Sequence, residues 1–421
     1  MENKQTENTE LVPRLRFPGF EGEWEEILLS NCLSERNEQF PESPDYPLMA
    51  FVAGKGVSPK GEKFDRSALV KDSVNKKYKR TELNDFIYSS NNLESGSIGI
   101  NTYGSACISP VYSIFKSRNN VDSIFIGTLL TQKSFISEMV KYRQGVVYGQ
   151  WKIPEKDFLG MKVFIPSLSE QQKIASCLSE LDNLISAQAQ KVESLKTHKK
   201  GLMQQLFPQP GESIPRLRFP GFEGEWQEKK LGEIGSFVRG LSFNKTEVTL
   251  DTSAVLVIRS NNIIQDGAVD CKNGLQYVTK SPADEQILRK GDIVICLANG
   301  SNNLVGKTSS FEGGYKGIAT VGAFCGIYRS SMPICKYLVQ TSVYKDRINV
   351  IKQGGNGALA NLYGRDILGL DFYFPTLAEQ QKIASCLSAL DDLIASESAK
   401  LDSLKDLKKG LMQQLFPQPT K

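Results

Sequence analysis

Any acid–base chemistry in this chain has to be built almost without imidazole. The sequence holds one histidine, His198, flanked by Lys199 and Lys200. A His-rich metal centre is therefore excluded, and a step that needs imidazole has a single candidate. Its charged surroundings predict a solvated helical residue rather than a ligand. Eight cysteines are scattered with no CxxC pair, which disfavours zinc ribbons and thioredoxin-like sites and predicts reduced thiols. Neither HExxH nor GxSxG occurs, and a Ser or Cys nucleophile would need a base other than histidine. The nearest nucleotide-binding pattern is Gly300-SNNLV-Gly306-Lys307-Thr308. It places five residues between its glycines where a P-loop has four. A methyltransferase would need a Gly-rich cofactor loop after a strand and a motif such as NPPY, and neither is found. The expectation is no catalytic residue, no metal site and no cofactor held by this chain.

What the residues do offer is hydrogen bonding and stacking suited to nucleic acid. Lys71–Arg80, KDSVNKKYKR, carries five basic residues against one acid around an aromatic ring. That composition suits phosphate contact, and Lys76, Lys77, Tyr78, Lys79 and Arg80 are its candidates. A solvated surface run accounts for it equally well. Amide-rich stretches recur at Ser89–Asn92, Ser260–Asn262, Gly300–Asn303 and Gln353–Asn356. Asn261, Asn262, Asn302, Asn303, Gln353 and Asn356 could pair bidentately with adenine, and Arg259 with guanine. Lys307 adds a charge beside them. Ordinary Asn-Gly turn chemistry explains such clusters equally. Two Gly-rich loops, 145–152 and 354–361, correspond at an offset of 209. The first contributes Tyr148, Gln150, Trp151 and Lys152, with Trp151 equally readable as a core residue.

These groups sit on a duplicated chain. Pro13–Trp24 and Pro215–Trp226 are the same twelve residues, PRLRFPGFEGEW. Leu168–Pro210 matches Leu377–Pro419 at 31 of 43 positions. The stretches between share only scattered anchors. The order is constant segment, variable block, constant helix, and then all three again. A frame kept while its blocks diverge implies that the frame does one job twice and the blocks do two different jobs. The resulting partition is 1–24 constant segment, 25–166 first block, 167–210 first helix, 211–226 constant segment, 227–375 second block and 376–421 second helix.

Each constant helix has a hydroxyl followed by Glu three residues on, Ser167 with Glu170 and Thr376 with Glu379, the pattern of a capping box. Apolar residues then recur with alternating spacings of four and three: Ile174, Leu178, Leu181, Ile185, Val192, Leu195, Leu202, Leu206. Gln188 and Lys199 complete that seam, and Glu397 and Lys408 do so in the second copy. A period of 3.5 predicts coiled-coil packing. Pro208 and Pro417 stop the helices. About 38 residues at about 1.5 Å each give rods of about 57 Å, and a local two-fold relation would make them antiparallel. Gly201 and Gly410 lie inside the helices, either where another backbone approaches or near a fraying end. In the blocks, Asp85–Ser89, Ala254–Arg259 and Asp292–Leu297 predict strands. So do Val163–Ile165 and Phe372–Phe374, the closing strands.

The whole chain has 421 residues, 40% of them apolar and 23% charged, an ordinary soluble balance spread over two or three domains. No run is long and apolar enough to span a membrane, and the polar start lacks a secretion signal. A cytoplasmic location is expected. Net charge is +4, carried by the blocks, at +2 for 25–166 and +4 for 227–375. So weak a charge predicts poor non-specific DNA binding unless partners add basic surface.

The doubled Pro166–Asp182 (PSLSEQQKIASCLSELD) and Pro375–Asp391 (PTLAEQQKIASCLSALD), with Lys290–Cys296 (KGDIVIC), resemble the specificity (S) subunit of type I restriction-modification enzymes. The first block departs at Leu83–Ser89, where Asn84 stands for Gly291. The resemblance implies an α+β fold: two mixed α/β target-recognition domains separated by two long antiparallel coiled-coil helices with pseudo-two-fold symmetry. Each domain would read one half of an asymmetric bipartite site on double-stranded DNA. Two methyltransferase subunits would dock on the helices, and two motor-nuclease restriction subunits would complete a complex that defends against foreign DNA. S-adenosylmethionine, ATP and Mg would belong to those partners. The rival is a non-catalytic coiled-coil scaffold with two adaptor domains that does not bind DNA.

Overall fold

The structure is a computed structural model that describes residues 12–59, 76–145, 151–353 and 361–417. The chain forms two compact units, Met1–Gln188 with Lys400–Lys421, and Ala189–Ala399. Both long helices are continuous, Leu168–Leu206 (39 residues) and Leu377–Gln414 (38 residues). The units nevertheless divide each helix, which a partition into blocks and spacers does not anticipate. The physical reason is the core. In the first unit Ile174 and Leu178 share one apolar cluster with Trp24, Leu29, Phe158, Leu415 and Phe416. In the second, Ile383 and Leu387 do so with Trp226, Leu231, Leu206 and Phe207. Each block therefore buries the start of its own helix and the end of the other.

The helix stretches within each unit run antiparallel. Lys191 pairs with Glu397 at 2.8 Å and Lys199 with Asp391 at 2.6 Å in the second unit. In the first, Lys408 pairs with Asp182, while Leu178 shares its cluster with Leu415 further along. Polar seam residues are thus used for register, as a buried polar position in a coiled coil can be. Lys199 is only 8% exposed and also lies over the Tyr337 ring. His198 is exposed, as expected of a solvated helical residue. Of the two readings of Gly201 and Gly410, the approach of a second backbone is ruled out: a Cβ at either position would meet nothing within 4 Å.

Only half of the predicted capping box forms. The Glu170 and Glu379 amides face the Ser167 and Thr376 hydroxyls at 3.4 and 3.5 Å. Their carboxylates turn away from the cap and take Arg16 and Arg218, each at 2.7 Å. Those arginines belong to the repeated PRLRFPGFEGEW. Each also donates to carbonyls of its own segment, Gly22 and Glu21 or Gly224 and Glu223. The constant segment is therefore clamped to the start of one helix. It also reaches the end of the other, through Leu15 N–H to the Gln414 carbonyl and Leu217 N–H to the Gln205 carbonyl, both 3.0 Å.

The two blocks share one construction. A first strand pairs antiparallel with the closing strand, Glu25–Leu28 with Lys162–Ile165 and Gln227–Lys230 with Asp371–Phe374. The first block adds a four-stranded sheet in the order Leu33–Glu35, Ser113–Ser117, Phe86–Tyr88, Ile98–Ile100. The second has a five-stranded sheet in which Ile293–Cys296 lies between Cys325–Ser330 and Thr308–Ser310, and a four-stranded sheet containing Val255–Ile258. The predicted strands are all present. Where the first block departs from the pattern, Asn84 (φ 68°) and Gly291 (φ 93°) both adopt the left-handed turn that Asn and Gly tolerate best. The following Asp85 and Asp292 are both buried and paired to arginine, Arg36 at 2.7 Å and Arg329 at 2.6 Å.

Candidate functional site

In the second unit two fully buried strands deliver polar loops at their ends. Val255–Ile258 is apolar throughout, because both of its faces are covered: Leu256 and Ile258 pack into one apolar cluster, Val255 and Val257 into another. It releases Arg259-Ser-Asn-Asn262. Ile293–Cys296, likewise buried, releases Leu297–Asn303. The side chain of Asn299 donates to Ser260 Oγ at 3.0 Å, which joins the two loops. Arg259 Nη2 and Asn261 Nδ2 both donate to the Gly274 carbonyl, at 3.0 and 3.3 Å. Arg259, Asn261, Asn302 and Asn303 are all exposed. Lys352 Nζ donates to the Asn302 and Val305 carbonyls at 3.3 and 3.1 Å, and its partial burial lowers its pKa. It braces the Asn302–Asn303 turn through these carbonyls, and half-buried Lys307 follows, its N–H donating to the Leu304 carbonyl at 3.3 Å.

In the first unit the strand Phe86–Tyr88 likewise opens into Ser89-Ser-Asn-Asn92. Asn91 Oδ1 accepts the Trp151 N–H at 2.6 Å and Ser90 Oγ accepts the Ile153 N–H at 3.0 Å. The amide-rich loop is therefore tied to the end of the Gly-rich loop. Trp151 is 49% exposed, so it is not a core residue. Lys152 is exposed beside it. Glu155 lies 3.6 Å from Lys152. Burial would raise its pKa, but its own backbone amide, the Ser113 hydroxyl and the charges of Lys152 and Lys79 hold it below the usual carboxylate range. Lys152 of the Trp151 loop and Lys79 thus act on one carboxylate.

Three expected contact residues turn out to be occupied. Asn262 is fully buried: its Oδ1 accepts the Arg259 N–H and its Nδ2 donates to the Asn273 carbonyl. It forms the turn that presents Arg259, and no base can reach it. Lys79 is 6% exposed, with Nζ bound to the Tyr112 carbonyl at 3.0 Å, because its strand alternates inward at that position. Arg80 is sandwiched between the Phe40 and Tyr46 rings at 4.1 and 4.2 Å, so both faces of its guanidinium are used within the block. Lys76 and Lys77 are exposed and Tyr78 half-buried. Tyr148, Gln150 and Asn356 lie outside the described residues, as does the side chain of Gln353. The sequence reading placed Asn91 in an amide-rich stretch without giving it a role and missed Asn299 and Lys352, since each acts by bridging loops distant in the chain.

Among the described residues no group of three or more His, Cys, Asp or Glu is placed to hold a metal ion. No helix among them is long and apolar enough to cross a membrane. The arrangement provides exposed donors, acceptors and one indole on rigid sheet ends, in two units with different loop chemistry.

Residues 31–197 and 223–406 match the family model described as the type I restriction modification DNA specificity domain. The chain is 28% identical over 195 residues to the type I restriction enzyme StySPI specificity subunit of Salmonella potsdam. It is 27% identical over 195 residues to the EcoKI specificity subunit of Escherichia coli K12. These matches take in 45% of this chain and 41% of each relative, so the chain spans less than half the length of either. The MjaVIII specificity subunit of Methanocaldococcus jannaschii is 24% identical over 316 residues, 72% of this chain and 71% of that one. In fold, the crystal structure of a type I restriction-modification S subunit from M. genitalium superposes with a TM-score of 0.61 at 16% identity, over 97% of this chain and 100% of that one. A chain from a structural study of complex assembly and conformational transition in the type I R-M system gives 0.52 at 14% identity, over 96% and 99%.

Proposed function

The chain belongs to the type I restriction modification DNA specificity family, and from that premise we propose that it is the DNA sequence-specificity subunit of a type I restriction-modification complex. Each block reads one half of an asymmetric bipartite site on double-stranded DNA. The long helices and the clamped constant segments dock two methyltransferase subunits, and two motor-nuclease subunits complete the assembly. The chain itself catalyses nothing. S-adenosylmethionine, ATP and Mg are held by the partners.

One observation carries this reading. Two units with the same clamp, closing strand pair and buried Asp–Arg corner present different exposed groups on the loops around their buried strands. Trp151 and Lys152 stand in the first, Arg259, Asn261, Asn302 and Asn303 in the second. Equal frames suit two copies of one partner; unequal loops suit two different half-sites. Phosphate contacts fix position, and base edges are read by amides and arginine. Tyr148, Gln150, Gln353 and Asn356 are assigned to base contact on their amide and aromatic chemistry alone. Lys76 and Lys77 contact phosphate.

The test is to purify the chain with and without its methyltransferase partner and to map methylation in cells that express the complex. The expected result is sequence-dependent DNA binding by the complex and one bipartite methylated motif. A complex that assembles but shows no DNA binding that depends on this chain would establish the adaptor scaffold instead, and DNA binding without sequence preference would overturn the specificity reading.

A further inference from the structure

The turn Val321-Gly-Ala-Phe-Cys325 in the second unit carries Phe324, 69% exposed. The turn is closed by Cys325 N–H to the Gly322 carbonyl at 2.8 Å. Three other segments fasten it. Gly322 N–H donates to the Ile258 carbonyl at 2.9 Å, immediately before Arg259. The Phe324 carbonyl accepts both the Leu297 and Ala298 amides, at 2.8 and 3.2 Å, immediately before Asn299. Leu241 N–H donates to the Val321 carbonyl at 2.7 Å, and Arg239 Nε reaches the Ala323 carbonyl at 3.4 Å. Gly240 makes this approach possible, since a Cβ there would lie 2.2 Å from the Gly322 carbonyl oxygen.

A large aromatic side chain is thus held out to solvent on a rigid backbone, where the Arg259 loop, the Asn299–Asn303 loop and exposed Arg239 converge. Burying Phe324 in this unit's own core would need only a slack turn, and the turn is not slack. Two exposed arginines, Arg239 and Arg259, adjoin it, which favours a polyanion as the occupant. Apolar rings placed this way can wedge into a base step or stack on an exposed base.

We propose that Phe324 is a base-stacking residue of the second half-site, inserting against a base or base step while the flanking amides and Arg259 read base edges. This rests on the DNA-specificity reading above and adds the aromatic contact that the sequence did not single out. The sequence there, GAFCG, has neither charge nor repeat to mark it.

The test uses the full complex with its methyltransferase partner and duplexes carrying the mapped target, with 2-aminopurine substituted at successive positions of the second half-site. Wild-type binding should change 2-aminopurine fluorescence at one step. Phe324→Ala should abolish that change and weaken cognate binding by about ten-fold to a hundred-fold. Phe324→Tyr should restore both, and discrimination at the first half-site should stay as in wild type. Thermal unfolding of each variant separates loss of contact from loss of fold. If Phe324→Ala binds and reports like wild type, the stacking role is wrong while DNA specificity stands. If Phe324→Ala instead loses the methyltransferase partner, the ring is a protein contact and the proposal fails. Should the wild-type complex itself show no sequence preference, the DNA-specificity reading falls, and this inference with it.

Discussion

At the scale of single residues, the clearest device is the arginine of the constant segment. Glu170 and Glu379 are 1% exposed, and each is paired at 2.7 Å with one arginine that is itself 15 or 18% exposed. Hydrogen bonding to the glutamate raises the pKa of Arg16 and of Arg218, against a smaller opposing effect of desolvation. Removing one partner leaves a buried charge uncompensated. Arg16→Ala should therefore destabilise the first unit by about 3 kcal/mol, and Glu170→Gln, which keeps the shape without the charge, should cost less. Urea denaturation of the two variants checks this, and an unchanged midpoint for Arg16→Ala would show the clamp to be incidental. The reading residues behave differently because they are exposed. Trp151→Ala, and Asn302→Ala with Asn303→Ala, should leave the melting temperature within a degree or two yet weaken cognate DNA binding by about 1–3 kcal/mol per lost base contact. Equal affinity for every single-base variant of the target would remove them from the site.

For the helices, length and register come from the seam, but two positions in them serve neither. Gly201 and Gly410 have open space where a Cβ would go, and neither is in the left-handed region. Each costs the helix about 1 kcal/mol relative to alanine. Gly201→Ala and Gly410→Ala should therefore raise the unfolding midpoint of the isolated chain. A lowered midpoint would mean that the glycine answers a packing demand. Lys199 is the opposite case. Its ammonium meets Asp391, Gln340 and the Tyr337 ring, so it joins a helix to the helices of its block.

The whole molecule is two units built on one plan. Because clamp, closing strands and core recur in each, a block should be replaceable without disturbing the other. Exchanging residues 25–166 for another block of this class should change one half of the methylated motif and leave the other half as it was. Methylation mapping decides it, and change in both halves would end the idea of independent readers. The constant segment suggests a second test. Leu15 meets Gln414 as Leu217 meets Gln205, and the second pair is already joined by 206–216. A circular permutant that joins 414 to 15 by the same linker, opened between Pro210 and Pro215, should keep its target specificity.

The sequence by itself determined the duplication, the starts of both long helices to within a residue, the closing strands and the kind of function, because periodicity and internal identity are local properties of the chain. It also located the amide-rich loops, since Asn and Gly mark turns wherever they cluster. Only the tertiary structure decided which of those amides are available. Asn261 and Asn262 are neighbours, yet one is exposed and the other fully buried, according to which one the turn consumes. Lys79 and Arg80 lost their solvent to Tyr112, Phe40 and Tyr46, partners more than thirty residues away. Glu170 and Glu379 left the helix cap for an arginine more than 150 residues earlier. The sharing of each helix between two units likewise follows from which apolar faces meet. These outcomes depend on competition among distant partners for the same donor, acceptor or apolar surface, and no local pattern records who wins.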